Sequence, residues 1–250
     1  MINNIKKYYD SKAEYYDILN KTSFSTANQE VKLLRKIFSK YKITPIKIFD
    51  IGCGTGRLSL PLSKLNYNVT GIDISKNELK IARIKAKILG LKINFYYSDV
   101  RTFKNKNIDV VVAGDGVICH IYTKIGIIKC FKNIFKNLNN NGIFIFDASN
   151  YDYKKITKKI NRYHVKKDNK DLFMERKKHF TNDGLFEWTD SLKVYENKKC
   201  TIFKFHNKIV LRKNYEWIKL LKLSGFKNIR YYPRLYKKGI PRTFYYVGQK

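Results

Sequence analysis

Nine consecutive residues constrain the fold of this 250-residue chain more tightly than any other stretch: Phe49-Asp50-Ile51-Gly52-Cys53-Gly54-Thr55-Gly56-Arg57. The run before the turn, with Ile43, Ile46, Ile48, Phe49 and Ile51, predicts a buried strand, and glycine then stands at every second position. Such a turn lacks the Cβ atoms that would hold a ligand off the backbone. The following residues 57–65 read as a helix whose N-terminus points at the turn. Strand, glycine turn and helix in that order open a nucleotide-type cofactor pocket.

The rest of the first 150 residues alternates as a doubly wound α/β fold requires. Residues 29–40 carry Val31, Leu34, Ile37 and Phe38 on one helical face. Strands are predicted at 46–51, 68–74, 94–98, 109–113 and 143–146, with helices at 76–89 and 125–138 between them. The Val run at 109–113 suits a strand covered on both faces. Beyond residue 150 the pattern changes. Residues 151–170 are basic and weakly periodic, and 172–181, 185–195 and 201–211 read as three successive strands, with Asn182-Asp183-Gly184 as a hairpin turn. A helix at 215–223 and strands at 227–232 and 243–247 close the chain. The expectation is a seven-stranded, mostly parallel sheet with an inserted antiparallel β cap. Its parts would be a cofactor-binding core with N-terminal helices at 1–150, a basic segment and cap at 151–211, and the last helix and closing hairpin at 212–250.

Spacing narrows the cofactor. A dinucleotide fingerprint needs a small residue after Gly-x-Gly-x-x, and Arg57 or Ser59 falls there instead. The pattern present is Asp-x-Gly-x-Gly-x-Gly, from Asp50 through Gly52, Gly54 and Gly56, with a second acid, Asp73, 17 residues after Gly56. On these residues the chain resembles the class I methyltransferases that use S-adenosylmethionine, and the antiparallel cap expected after the fifth strand resembles that of the small-molecule enzymes acting on glycine or amino sugars. The resemblance implies that Asp50 helps hold the methionine ammonium and that Asp73 takes the ribose hydroxyls. It also places Ile74 beside the adenine, Asp99 at the adenine amino group with Val100 after it among the cofactor-binding residues, and the Gly114 backbone along the sulfonium end. It covers about residues 45–150. The repeated Tyr8-Tyr9-Asp10 and Tyr15-Tyr16-Asp17 resembles the opening of small-molecule methyltransferases, in which an N-terminal helix closes over the cofactor. Tyr16 is then expected to reach the methionine end or the acceptor.

Methyl transfer from a sulfonium is an in-line displacement in which the enzyme positions and desolvates. A base is needed only for an acceptor that starts protonated, and His120, on the loop after the fourth strand, is the candidate by location and titration range. No Asn-Pro-Pro-Tyr-like tetrapeptide follows the fourth strand; Ala113-Gly114-Asp115-Gly116 stands there, which argues against methylation of base amines. A small-molecule acceptor is therefore the first reading. An RNA-modifying enzyme using the basic residues 154–178 is the second, and a non-catalytic cofactor-binding subunit the third.

The formal charge of +32 would suit a polyanion, but the basic residues are mostly lysines spread along a chain equally rich in Ile and Asn, a composition that an AT-rich coding sequence produces. Cys53, Cys119, Cys130 and Cys200 have neither disulfide nor metal-ligand spacing. No run approaches about 18 apolar residues. These features read as a cytoplasmic protein without a metal or a membrane anchor, and leave its oligomeric state open.

Overall fold

The computed structural model describes residues 2–149, 159–167, 169–181, 185–234 and 243–250. The chain opens with two helices, α1 (Ile2–Leu19) and α2 (Lys21–Lys40), and continues with β1 (Lys47–Ile51), α3 (Ser59–Lys64), β2 (Asn68–Asp73), α4 (Lys76–Ile88), β3 (Asn94–Tyr97), β4 (Ile108–Ala113), α5 (Lys124–Asn137) and β5 (Leu138–Ser149). The cap follows as β6 (Lys159–Lys167), β7 (Lys170–Phe180), β8 (Leu185–Glu196) and β9 (Lys199–Val210). The last elements are α6 (Asn214–Leu223), β10 (Lys227–Pro233) and β11 (Thr243–Gln249).

The main sheet has the order β10-β11-β5-β4-β1-β2-β3, with β1 to β5 parallel and β11 antiparallel to β5. Period-two alternation sends Ile48, Val110, Val112, Ile143 and Ile145 to one face, against Leu34, Ile37 and Phe38 of α2 and Leu62 of α3. Phe49, Val111, Phe144 and Phe146 go to the other, against Phe131 and Ile134 of α5 and Trp217 and Leu221 of α6. Both faces are apolar because both are covered. Strand order reverses between β1 and β4, and the crevice at their carboxyl ends is where ligands bind in such sheets.

The cap is a separate four-stranded antiparallel sheet, β6-β7-β8-β9. Sequence periodicity predicts three of these strands but not β6, whose exposed charged residues hide the alternation. Pairing supplies what the pattern lacks, since β6 runs in unbroken register with β7 from Lys159↔Lys178 to Lys167↔Lys170. The predicted Asn182-Asp183-Gly184 turn lies outside the described residues. Helix α1 joins cap to core: Tyr8 and Tyr15, seven residues apart and so on one helical face, pack with Leu172, Met174, Leu192, Val194 and Phe205. Helix α3 starts later than expected, at Ser59, with Leu58 as its N-cap, after a turn in which Gly52, Gly54 and Gly56 adopt positive φ. No helix among the described residues is long and apolar enough to cross a membrane.

Candidate functional site

The turn after β1 hangs on β2, where the Ile72 carbonyl accepts from the N–H groups of Gly52 and Cys53 at 2.7 and 3.0 Å. Gly52 and Gly54 adopt φ of 68° and 54°, the left-handed region that favours glycine. Their missing Cβ atoms also make room for protein. A Cβ on Gly52 would lie 2.4 Å from Val117 Cγ2, and one on Gly54 would lie 2.8 Å from Glu78 Oε2. Gly52 and Gly54 line a cavity at the strand ends. Gly56 is not among the residues lining it; a Cβ there would meet Leu60 of α3 at 3.0 Å, so its work is to let the turn pack on the helix.

The same cavity is lined by Asp50, Asp73, Ile74, Asp99, Val100, Gly114, Tyr16 and His120, the remaining residues singled out from the sequence. Asp73 is held rigidly, accepting from the Gly54 N–H at 2.9 Å and the Ser75 N–H at 2.8 Å. Burial pushes its carboxyl up despite these bonds. Asp50 is almost wholly buried and accepts from the Ser59 hydroxyl at 2.5 Å; burial pushes it up to about 6. Asp99 has a second engagement. Burial raises its carboxyl, but Arg101, bonding through its guanidinium and its backbone N–H, outweighs that and holds it below the usual range. It therefore caps its own turn while facing the cavity.

Helix α1 forms the roof. Its two aspartates, seven residues apart, pin it to the turns after β1 and β2: Asp10 accepts from the Ser75 hydroxyl at 2.8 Å, and Asp17 from the Thr55 hydroxyl at 2.6 Å, with Lys85 as a further partner. The companion tyrosines, Tyr9 and Tyr16, point inward. Tyr16 donates to Asp115 Oδ2 at 3.1 Å. Tyr9 bonds His120 Nε2 at 2.9 Å, while His120 Nδ1 lies 3.1 Å from the Lys208 carbonyl. Since a carbonyl only accepts, Nδ1 carries the proton and Nε2 accepts from Tyr9. Burial lowers the imidazole to about 4, so it is neutral at pH 7. His120 is thus already partnered, and sequence reasoning, which favoured Tyr16, passed over Tyr9.

A second cavity of about 300 Å³ lies between core and cap. Tyr9, Tyr16, Asp115 and His120 line both cavities and so stand at their junction. Asp115, in the left-handed region at φ 61°, is solvent-accessible and lines both cavities. Burial works against its charge, but Arg57 and Arg234 keep its carboxyl below the ordinary range. Beneath it runs a buried ion network invisible to motif reading. Arg234 Nη1 donates to Asp147 Oδ2 at 2.5 Å and its Nη2 to Glu30, Arg57 pairs with Glu30 at 2.9 Å, and Tyr245 donates to Glu30 at 2.7 Å. The only signal in the sequence is an acid, Glu30, on the otherwise apolar face of α2. On the cap side, Lys12 and Arg176 surround the single carboxylate of Asp190, and Arg176 stacks on Trp188. No group of three or more metal-binding side chains occurs among the described residues.

A family model described as a methyltransferase domain matches residues 45–205, more than half of the chain. Over 119 residues the sequence is 34% identical to a ubiquinone biosynthesis O-methyltransferase of Rickettsia prowazekii (strain Madrid E), covering 47% of this chain and 46% of that protein. The chain spans about half the length of the curated relatives it matches. An S-adenosylmethionine-dependent methyltransferase from Clostridium acetobutylicum ATCC 824 superposes over 96% of this chain and 98% of its own, with TM-score 0.77 and 20% identity. The sugar N-methyltransferase KedS8 from Streptoalloteichus sp ATCC 53650 does so over 94% and 92%, with TM-score 0.82 and 15% identity. At these identities the likeness shows a shared fold.

Proposed function

Because the chain belongs to the methyltransferase-domain family of class I S-adenosylmethionine-dependent enzymes, we propose that it transfers the donor's methyl group to a nitrogen or oxygen of a small polar acceptor bound beneath the cap. The observation that supports this reading is the junction: Tyr9, Tyr16, Asp115 and His120 line both the cavity at the strand ends and the second cavity beneath the cap.

The cofactor cavity fits S-adenosylmethionine by its donor set. Carboxyls suit an ammonium and a ribose diol, and the cations lining the cavity, Arg57 and Arg101, are each ion-paired with a carboxylate, Glu30 and Asp99. Asp50 would hold the ammonium, Asp73 the ribose, and Ile74 and Val100 the adenine faces. When bound, the cofactor supplies an electrophilic methyl on a sulfonium.

The chain's own residues orient the acceptor and manage its proton. The acceptor's lone pair forms the new bond to carbon as the carbon–sulfur bond breaks, its pair going to sulfur. Asp115, held anionic, accepts from an N–H of a neutral amine or from a hydroxyl and aims the nucleophile. As the acceptor's proton becomes acidic it passes to the Tyr9 oxygen, while Tyr9 gives its own proton to His120 Nε2. The charge developing on the imidazole is offset by Asp115. Asp115 favours an amine acceptor, and the positive excess of Lys12 and Arg176 over Asp190 on the cap wall suits an anionic group at its far end.

The RNA reading has less support. Within the basic segment Arg176 turns inward to Asp190, Arg162 and Lys177 pair with Glu175, and Lys166 pairs with Asp171. Residues 151–158, including Tyr151 and Tyr153, lie outside the described residues. The test is release of S-adenosylhomocysteine by the purified chain with a panel of small amines, amino sugars and phenols, against bulk tRNA. Turnover with a small amine is expected. Methylation of tRNA alone would overturn the proposal.

A further inference from the structure

Ser75-Lys76-Asn77-Glu78 opens α4 with the sequence of a capping box, and the Glu78 N–H duly donates to Ser75 Oγ at 3.1 Å. In that motif the glutamate side chain bends back to the N–H of the capping serine. Here the Ser75 N–H already donates to Asp73 Oδ1 at 2.8 Å, so the Glu78 carboxyl has no capping work. It turns instead into the cofactor cavity, only 2% exposed, with Oε2 beside Gly54 and Oε1 lacking any hydrogen-bond partner. A buried unpaired acid is costly to keep, and one aimed into a binding cavity is explained by a ligand group that satisfies it.

The surroundings fix what it can offer. Asp73 and Cys53 face Glu78 from the core, and Tyr9, Asp10, Lys12, Tyr16 and Asp17 from α1. Of these only Lys12 is cationic, and it is bound to Asp190 and Tyr8; Lys85, on the same helix as Glu78, pairs with Asp17. Burial first, then the carboxylates of Asp73 and Asp17, raise Glu78 well above the ordinary carboxyl range. Unlike Asp73, which takes two backbone N–H groups as an acceptor, Glu78 in its acid form has a proton to give.

We propose that Glu78 is a second ribose ligand of the cofactor, its carboxylic acid donating to one ribose hydroxyl oxygen while the Asp73 carboxylate accepts from the neighbouring hydroxyl. The pair reads a vicinal diol by one donor and one acceptor, both set against Gly54. The proposal rests on the placement of the ribose at Asp73.

The test is calorimetric titration of the full chain with S-adenosylhomocysteine and with its 2′,3′-dideoxy analogue, for wild type, Glu78→Gln and Glu78→Ala. Wild type should prefer the natural ligand. Glu78→Ala should weaken S-adenosylhomocysteine binding about tenfold, a lost buried hydrogen bond, and leave the dideoxy analogue within about twofold. Glu78→Gln, which keeps a donor without a titrating proton, should stay within about threefold of wild type. Equal losses on both ligands, no loss with Glu78→Ala, or a Glu78→Gln as weak as Glu78→Ala would each overturn the proposal. A wild type that binds both ligands equally would overturn the ribose reading of Asp73 as well, a distinguishable failure. Glu78→Met replaces the alanine variant if circular dichroism shows the latter unfolded.

Discussion

Replacing Arg234 by methionine tests the ion network beneath Asp115. Removing one partner of a buried ion pair costs roughly 3–5 kcal/mol, because a charge is left without compensation. The geometry selects the low end of that range. Glu30 keeps Arg57 at 2.9 Å and the Tyr245 hydroxyl at 2.7 Å, so it stays paired. Among the described residues Asp147 keeps only the Gly116 N–H at 2.7 Å, and the nearby Asp115 carboxylate opposes its charge. One stranded carboxylate gives about 3 kcal/mol, which at roughly 2–4 °C per kcal/mol lowers Tm by about 6–12 °C.

Thermal unfolding followed by circular dichroism at pH 7.5 is the assay, with Asp147→Asn and the double variant alongside. The double variant should recover most of the loss, since the stranded charge is gone. Burial already pushes the Asp147 carboxyl up, and loss of Arg234 pushes it further. Its deficit is therefore greatest where it must ionise and shrinks as it takes a proton, so the gap between variant and wild type narrows as pH falls toward 5. A Tm loss under about 2 °C, no recovery in the double variant, or a gap that widens on acidification would refute the reasoning.

Three further outcomes are expected. The Asp50 carboxyl, raised to about 6, is ionised above that pH and neutral below it, so S-adenosylmethionine affinity should fall about tenfold between pH 7.5 and 5, and Asp50→Asn should flatten that dependence in calorimetry. Tyr9→Phe should lower kcat by roughly a hundredfold with an amine acceptor while leaving cofactor affinity within about twofold, because it removes the proton route and keeps the ring; a kcat within threefold would remove Tyr9 from the mechanism. Filter binding to bulk tRNA at about 150 mM salt should match that of a lysine-rich control of equal charge; tight, steeply salt-dependent binding beyond the control would restore the RNA reading.

The sheet was legible because its signals are local. Buried parallel strands write themselves as runs such as Val110-Val111-Val112, and the glycine turn announces a backbone conformation few other residues adopt. Strand β6 was not legible, since its register comes from β7 rather than from alternation of its own. The lining of the cavity at the strand ends could be drawn largely from one motif and two strand-end acids. What could not be drawn is whatever depends on elements distant in sequence meeting. Tyr9 finds His120 from 111 residues away, and Arg234 reaches Glu30 across 204. Glu78 carries a capping signature whose meaning is altered by Asp73, a competition that only three-dimensional placement exposes.

One helix walls two cavities. Through Tyr9 and Tyr16 α1 borders the cofactor cavity, through Tyr8 and Lys12 the one beneath the cap, and Asp10 and Asp17 fasten it to the loops between. Occupancy of either cavity that steadies this helix makes it steadier for the other. On the proposed assignment of the cavities, thermodynamic linkage then demands that acceptor tighten donor by the same factor that donor tightens acceptor. The repeated Tyr-Tyr-Asp would thus make the two proposed binding events answerable to each other.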